Sequence, residues 1–465
     1  MYRILLPIIH SLFRSRILAA FIFLQIFFFP ITEAQRITVS GGKFMVDGSE
    51  IFINGVNTPW DHWNDFGGSY DHSFWDSEFN RIRQAGGNAT RIWITCNGDV
   101  GITINNDGLV TGATAAHWSD LDDMFALAQQ HKIYIMATLI SFDHTKNSHS
   151  TYLAWRSLFV SDTLVASYVN NYVIPFVNRY KDNPYLWSID ACNEIEWMHE
   201  NTDNGQIEWT RLQYFVARVA AAVHRNSSIL VTLGSAAVKW NSTCPGCEGN
   251  YWSDAALWLQ YQSTGARLDF YSPHFYGWVV RWFGDFATEK TPADYQISDR
   301  PCMVGESPAT GIYRQNSSGT DVLEVPIDQA YIKTYQNGWM GLMSWTSNGV
   351  DPIGSLADCG IGIQNFFAAY PALVDPTITG LATNPENAPG IKIYPNPTGG
   401  MITLDHPGVN NLKINFYNLT GQLVLEQYLP GSEKGYLDIS SCKPGLYIME
   451  LTSGSYYKRT KISRK

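Results

Sequence analysis

Eight short apolar runs, several of them separated by amphipathic stretches, decide what the larger part of this chain can become. The runs are "FINGVNT" (52–58), "NATRIWI" (88–94), "IYIMATLIS" (133–141), "LWSIDACN" (186–193), "ILVTLGS" (229–235), "LDFYSPH" (268–274), "PCMVGE" (301–306) and "GLMSWTS" (341–347). Their interiors are nearly continuous in apolar residues, as strands covered on both faces require. Between them, "HSFWDSEFNRIRQAG" (72–86), "HWSDLDDMFALAQQHK" (117–132) and "EWTRLQYFVARVAAAVHR" (208–225) have the period of helices. Strand and helix alternating eight times predicts an α/β fold, a closed (β/α)8 TIM barrel. An open doubly wound sheet would need a phosphate-type glycine loop after an early strand, and none is present. Ahead of the first run, "ITVSGGKFMVDGSEIFINGVN" (37–57) predicts a hairpin leading into the barrel.

The two ends have a different texture. Arg3, Arg14 and Arg16 precede or flank the apolar segment "ILAAFIFLQIFFF" (17–29), and "TEA" (32–34) suits a small-residue cleavage site. Residues 1–34 therefore read as a secretory signal with Gln35 as the mature start. The alternative, a retained membrane anchor, would call for a longer apolar core. The barrel is expected over 35–374. A Pro-, Asn- and Gly-rich linker, "DPTITGLATNPENAPG", follows over 375–390, and short alternating runs over 391–465 predict a small all-β sandwich. All seven cysteines lie in the mature part. Cys244 and Cys247 in "CPGC" could be half a zinc site, but no second pair of matching spacing exists, so a short surface disulfide is expected. Cys192 is expected to be a buried small hydrophobe.

In such a barrel the C-terminal strand ends converge on one face, where active sites are built. Polar and aromatic residues at those ends are Arg91, Asp143 and His144, Asn193 and Glu194, His274 and Tyr276, Glu306 and Trp345. Two carboxylates stand out, Glu194 on the fourth strand and Glu306 on the seventh. Either alone would more often be a structural ion pair or a solvated rim group. Facing one another across a barrel mouth, they supply what glycosidic cleavage needs: a proton donor for the leaving oxygen, and a nucleophile or base at the anomeric carbon. Sixteen Trp, 25 Tyr and 23 Phe offer ring faces for pyranose C–H surfaces. A net charge of −10 argues against a nucleic-acid partner.

"CNE" (192–194), "MVGES" (303–307), "GGNATRIW", "HFY" and "MSWTSNG" occur in order at these strand ends. With them, residues 37–350 resemble the family 5 glycoside hydrolases and their wider clan of retaining barrels. The resemblance implies Glu194 as acid/base, Glu306 as nucleophile, Asn193 at the sugar 2-hydroxyl and Arg91 as the cation that keeps the nucleophile ionised. It further implies His274 and Tyr276 beside Glu306, with Trp345 as a platform under the cleaved sugar. Many members carry Pro after the acid/base, where this chain has Ile195. Glu196 ranks second for the acid/base role. His144 and Trp60 complete the expected substrate-binding set, with a purely structural role for His144 equally open.

"IKIYPNPTGG" (391–400), "NLTGQLV", "PGLYIMEL" and "KISRK" are similar to the type A sorting domain of the type IX secretion pathway of Bacteroidetes. A carbohydrate-binding sandwich is the weaker alternative, since this segment has no Trp. The expected protein is a monomeric endo-β-glycanase, secreted or held on the outer surface of a Gram-negative bacterium. It would act on mannan or glucan, with "RIW" (91–93) and the Trp60/Trp63 pair favouring mannan. Its partners would be the polysaccharide and the type IX machinery, and no metal or other cofactor is expected. An exo-acting β-glycosidase and a catalytically silent glycan-binding protein are the alternatives.

Overall fold

The computed structural model describes residues 36–283, 287–376, 391–406, 411–418, 422–431, 434–453 and 456–465, the side chains of 456–459 excepted. The expected signal and most of the expected linker lie outside these residues. Eight parallel strands form one sheet: β1 (Ile53–Asn57), β2 (Ala89–Trp93), β3 (Tyr134–Thr138), β4 (Leu186–Asn193), β5 (Leu230–Ser235), β6 (Ser272–Pro273), β7 (Val304–Pro308) and β8 (Gly341–Trp345). The hydrogen-bonded order is β6-β5-β4-β3-β2-β1-β8-β7. Parallel bridges Tyr271↔Cys302 and His274↔Glu306 join β6 to β7 and close the ring.

All eight expected strands are present, with informative differences at their ends. The third stops at Thr138, and Ser141 then caps a 3₁₀ turn, Phe142–Thr145, that carries the chain sideways. The sixth is reduced to two residues because Pro273 has no N–H to give the ladder. The seventh runs on past Glu306 to Pro308, so Glu306 sits within the strand rather than at its end.

The helices form where the apolar period and the caps coincide. Asp71 accepts from Ser73 N–H at 2.8 Å to start His72–Gln84, and Thr114 caps Ala115–His131 in the same way. Trp209–Asn226 buries Leu212, Phe215, Val216, Val219, Ala220 and Val223, one stripe at helical spacing, against the barrel wall.

The strands' starting ends meet a separate apolar plug. The hairpin of Thr38–Ser40 and Lys43–Val46 inserts Phe44 edge-on against Trp187 and Phe270, whose rings stack at 5.1 Å. Met136, Met303 and Met343 fill the remaining space of this floor. The tail forms two antiparallel sheets of three and four strands around Ile402, Leu404, Ile414, Phe416, Leu437, Met449 and Leu451. Cys244 and Cys247 form the expected disulfide, and Cys192 is free and buried.

Candidate active site

The mouth is organised around Arg91, which is fully buried. A buried guanidinium is tolerable only when every N–H is matched by an acceptor. Nη2 donates to Asp190 Oδ2 at 2.7 Å and to Asn193 Oδ1 at 2.8 Å, and Nη1 donates to Glu306 Oε1 at 2.6 Å. Its Cζ lies 4.2 Å from the centre of the Trp93 ring. On β5, across the barrel interior, only glycine fits, since a Cβ on Gly234 would lie 2.4 Å from Arg91 Nη2.

Asp190 is the site residue that the sequence pattern hides. Three positions before Asn193, it would face the opposite side of a regular strand. The register between β4 and β5 shifts here: Asp190 pairs with Thr232 and Asn193 with Gly234, three steps against two. This bulge turns both side chains to the barrel interior. Asp190 also accepts from Thr138 Oγ1 at 2.9 Å and Gly234 N–H at 2.9 Å.

Directly after the bulge, Glu194 takes a left-handed backbone with φ of 46°. For a residue with a Cβ this costs on the order of 1 kcal/mol. Its N–H donates to Gly234 O at 2.7 Å, which holds the turn. The turn aims the Glu194 carboxyl into the cleft, while Ile195 packs into the core and Glu196 enters the wall. Glu194 Oε2 accepts from Trp197 Nε1–H at 2.8 Å, and Oε1 lies 2.8 Å from His274 Nδ1. Burial pushes the Glu194 carboxyl up to about 7, so it is about half protonated at neutrality and holds its proton below it.

Glu306 has different neighbours. Besides Arg91 on Oε1, Tyr276 donates its hydroxyl to Oε2 at 2.6 Å. Burial pushes this carboxyl up, opposed by the Arg91 charge and the Tyr276 hydrogen bond. Among the described residues Glu194 meets only neutral donors, whereas Glu306 touches a guanidinium, a fixed positive charge that favours its anion. Burial pushes His274 down to about 4, so it is neutral. Its Nε2 has no partner among the described residues, which assigns the proton to Nδ1, between Glu194 at 2.8 Å and Glu306 at 3.4 Å. Ligand atoms of Glu194, His274 and Glu306 lie within 4.8 Å of one another, a spacing a cation could bridge. Such an ion would compete with Arg91 and Tyr276 for Glu306.

Aromatic rings border the carboxylates. Trp345 stands edge-on to Trp93 at 5.1 Å and Trp60 at 6.1 Å, with its Nε1–H on Asp351 at 2.8 Å. Trp63 extends this group outward and is partly exposed. Trp278, on the helix after β6, approaches Trp197 at 6.0 Å. Sequence reasoning gave no site role to Trp197 and Trp278. Trp197 lies three residues after Glu194, a spacing that could have signalled the contact.

Two expectations are corrected. His144 does not reach the cleft: it is fully buried, Nε2 against Thr95 Oγ1 at 3.0 Å and Nδ1 against Ser141 O at 3.0 Å, with its ring edge-on to Trp155. It belongs to the cap that ends β3. Glu196 does not compete with Glu194 either. Its carboxyl accepts from Ser235 Oγ at 2.5 Å, Trp252 Nε1–H at 2.9 Å and Ala236 N–H at 3.2 Å inside the wall.

The chain is similar to the mannan endo-1,4-beta-mannosidase of Cryptopygus antarcticus, 24% identical over 345 residues covering 69% of this chain and 86% of that protein. It is 26% identical to the mannan endo-1,4-beta-mannosidase of Mytilus edulis over 67% of this chain and 89% of that one. Among solved structures, the endo-1,4-beta-mannanase of Eisenia fetida superposes with a TM-score of 0.62 at 22% identity, covering 71% of this chain and 95% of that one, a likeness of fold. Residues 392–464 match the family model described as secretion system C-terminal sorting domain.

Proposed function

We infer, for a barrel that belongs with the family 5 glycoside hydrolases and a tail that belongs with the type IX sorting domains, an exported endo-β-1,4-mannanase acting with retention of anomeric configuration. The observation that carries this reading is the asymmetry of the two carboxyls, one set among the neutral groups Trp197 and His274 and one clasped by the Arg91 cation and Tyr276. Their closeness supports retention, since an inverting pair stands wider apart to admit water.

In the proposed first step an oxygen of Glu306 attacks the anomeric carbon as the C–O bond to the leaving sugar breaks. The Glu194 proton passes to the departing oxygen. In the second step Glu194, now ionised, takes a proton from water as the water oxygen displaces Glu306 from the same carbon. Asn193 is held through its Oδ1 by Arg91 and donates one amide N–H to Ser141 Oγ at 3.4 Å, which leaves the other N–H for the 2-hydroxyl. Trp345 forms the platform beneath the ring being distorted. Rings on both sides of the carboxylates, Trp60, Trp63 and Trp345 on one and Trp197 and Trp278 on the other, favour cleavage within a polymer over trimming of its end. An intact network of Arg91, Asp190, Tyr276 and Glu306 argues against a silent binding protein.

The mature enzyme would comprise residues 35–374, monomeric, with 391–465 serving as the export address, and released to the medium or retained on the cell surface. Reducing-sugar release from mannan, carboxymethylcellulose, xylan and laminarin tests the substrate. Release from glucan alone would replace mannan. Proton NMR of the first-formed sugar tests the mechanism, since an α-anomer appearing first would mean inversion.

A further inference from the structure

Trp258 has no part in the mouth, yet its ring is 49% exposed. It lies on the helix Asp254–Gln260 and borders a surface depression of about 270 Å³, with Asp254, Ser263, Thr264 and Arg267 around it. The depression belongs to the opposite end of the barrel from the carboxylates. Its loop runs into Asp269, whose N–H donates to Val231 O at 2.8 Å and whose carboxylate accepts from Val231 N–H at 2.7 Å. Val231 is near the start of β5, whereas Gly234, toward its far end, contacts Glu194. The two differ in height by about 10 Å along the strand.

The charges on the rim are already matched. Asp254 accepts from Arg300 Nη2 at 3.0 Å, and Arg267 pairs with Asp269 at 3.3 Å and approaches His224 Nδ1 at 3.3 Å. What remains is a flat apolar ring beside hydroxyls and held polar groups of both signs, with no net call for an anion or a cation. That chemistry suits a neutral polyhydroxylated ring: its C–H face on the indole, its hydroxyls on Ser263, Thr264, Asp254 and Arg267. The size suits one or two sugar units. The tail, which has no Trp, offers no indole platform of its own.

We propose that this depression is a second, non-catalytic carbohydrate site that takes the same polymer as the mouth and holds the enzyme to it. The proposal rests on the reading of the chain as a polysaccharide hydrolase. A single contact of this kind is weak, but a polymer presents the same unit many times over, and two sites on one enzyme bind it with avidity.

Native electrophoresis of the full chain through gels containing galactomannan, carboxymethylcellulose or xylan tests it, with Glu306→Ala as the background so that the polymer is not consumed. Glu306→Ala should be retarded by the polymer that the unaltered enzyme cleaves. Adding Trp258→Ala should weaken the apparent affinity about tenfold, the loss of one stacked ring. Trp258→Ala alone should keep kcat/KM on a short aryl β-mannobioside within about twofold, as a surface change remote from the chemistry does. Thr264→Tyr, which fills the depression and leaves Trp258 in place, should reduce retardation likewise and keeps the test open if Trp258→Ala does not fold. Undiminished retardation in both variants overturns the second site. So does a concentration-dependent dimer lost in Trp258→Ala with retardation unchanged, which would give the surface to a second copy of the chain. An unaltered enzyme that neither cleaves nor is slowed by any polymer overturns the hydrolase reading itself, a result distinct from the failure of this site alone.

Discussion

The two ends of the barrel are made by the same strands and could hardly differ more. β4 begins with Trp187 in the apolar floor and ends with Asp190 and Asn193 on a buried guanidinium. β8 places Met343 in the floor and Trp345 in the mouth. The floor asks of its residues only volume and shape, which several apolar side chains could supply. At the mouth each group is specified by its partner, because a buried charge without an acceptor costs several kcal/mol. The rigid floor is what lets the mouth keep a residue at φ of 46° and two carboxyls within reach of one imidazole.

Breaking the mouth should therefore abolish chemistry and spare the fold. Glu306→Ala is expected to lower turnover on every substrate by on the order of 10⁴-fold or more, since no group remains to form the glycosyl-enzyme. Its melting temperature should fall modestly, since Arg91 Nη1 and the Tyr276 hydroxyl each lose an acceptor, while Asp190 keeps the guanidinium paired and the chain folded. A variant that unfolds would make Glu306 part of the scaffold instead. Glu194→Ala should be milder, about 10² to 10⁴-fold on polymer, the range of a lost general acid. Aryl glycosides with good leaving groups should lose far less, and azide should restore release with a β-azide product. An azide-insensitive variant would contradict the assignment.

The floor should fail the other way round. Trp187→Ala removes a ring stacked on Phe270 and met edge-on by Phe44. About 3–5 kcal/mol of stability is expected to go, read by chemical denaturation. Turnover per folded molecule should change little at a temperature where the variant is still folded. If turnover collapses before unfolding begins, floor and mouth are coupled and do not act as separate ends.

The sequence discloses these two ends unequally. Eight apolar runs and the alternation with helices made the barrel legible, because covering both faces of a strand leaves a compositional mark. The two mouth carboxylates were legible as polar residues at the strands' far ends, although β7 runs two residues past Glu306. Asp190 was not, because the bulge that turns it inward leaves no trace in a period of two. His144 and Glu196 misled for a related reason: both follow a strand end, and what turned them away were local caps and donors, Ser141 in one case and Ser235 with Trp252 in the other. Position along a strand can be read from composition. Direction after the strand depends on partners that are distant in sequence.

The smallest expected effect separates Glu194 from Glu196 by pH. Burial pushes both up to about 7 from 4.5, yet one faces the cleft and the other the wall. For activity only Glu194 counts. It donates its proton while protonated, so kcat/KM should fall as pH rises through about 7, and Glu194→Gln should remove that limb along with most activity on polymer. For stability both count with the same sign. Below 4.5 the folded and unfolded chains both hold these protons. Between 4.5 and about 7 the unfolded chain releases them while the folded protein keeps them, so stability falls as pH rises across that window and levels off above it. Glu196→Gln cannot titrate. Its amide faces the Ala236 N–H with a donor and lowers the melting temperature by a constant amount, so the slope with pH is the quantity to read. That slope should flatten by the share of one carboxyl, while the alkaline limb of kcat/KM stays in place. A limb that moves in Glu196→Gln, or a slope that does not, would mean that the wall carboxyl is coupled to the chemistry after all.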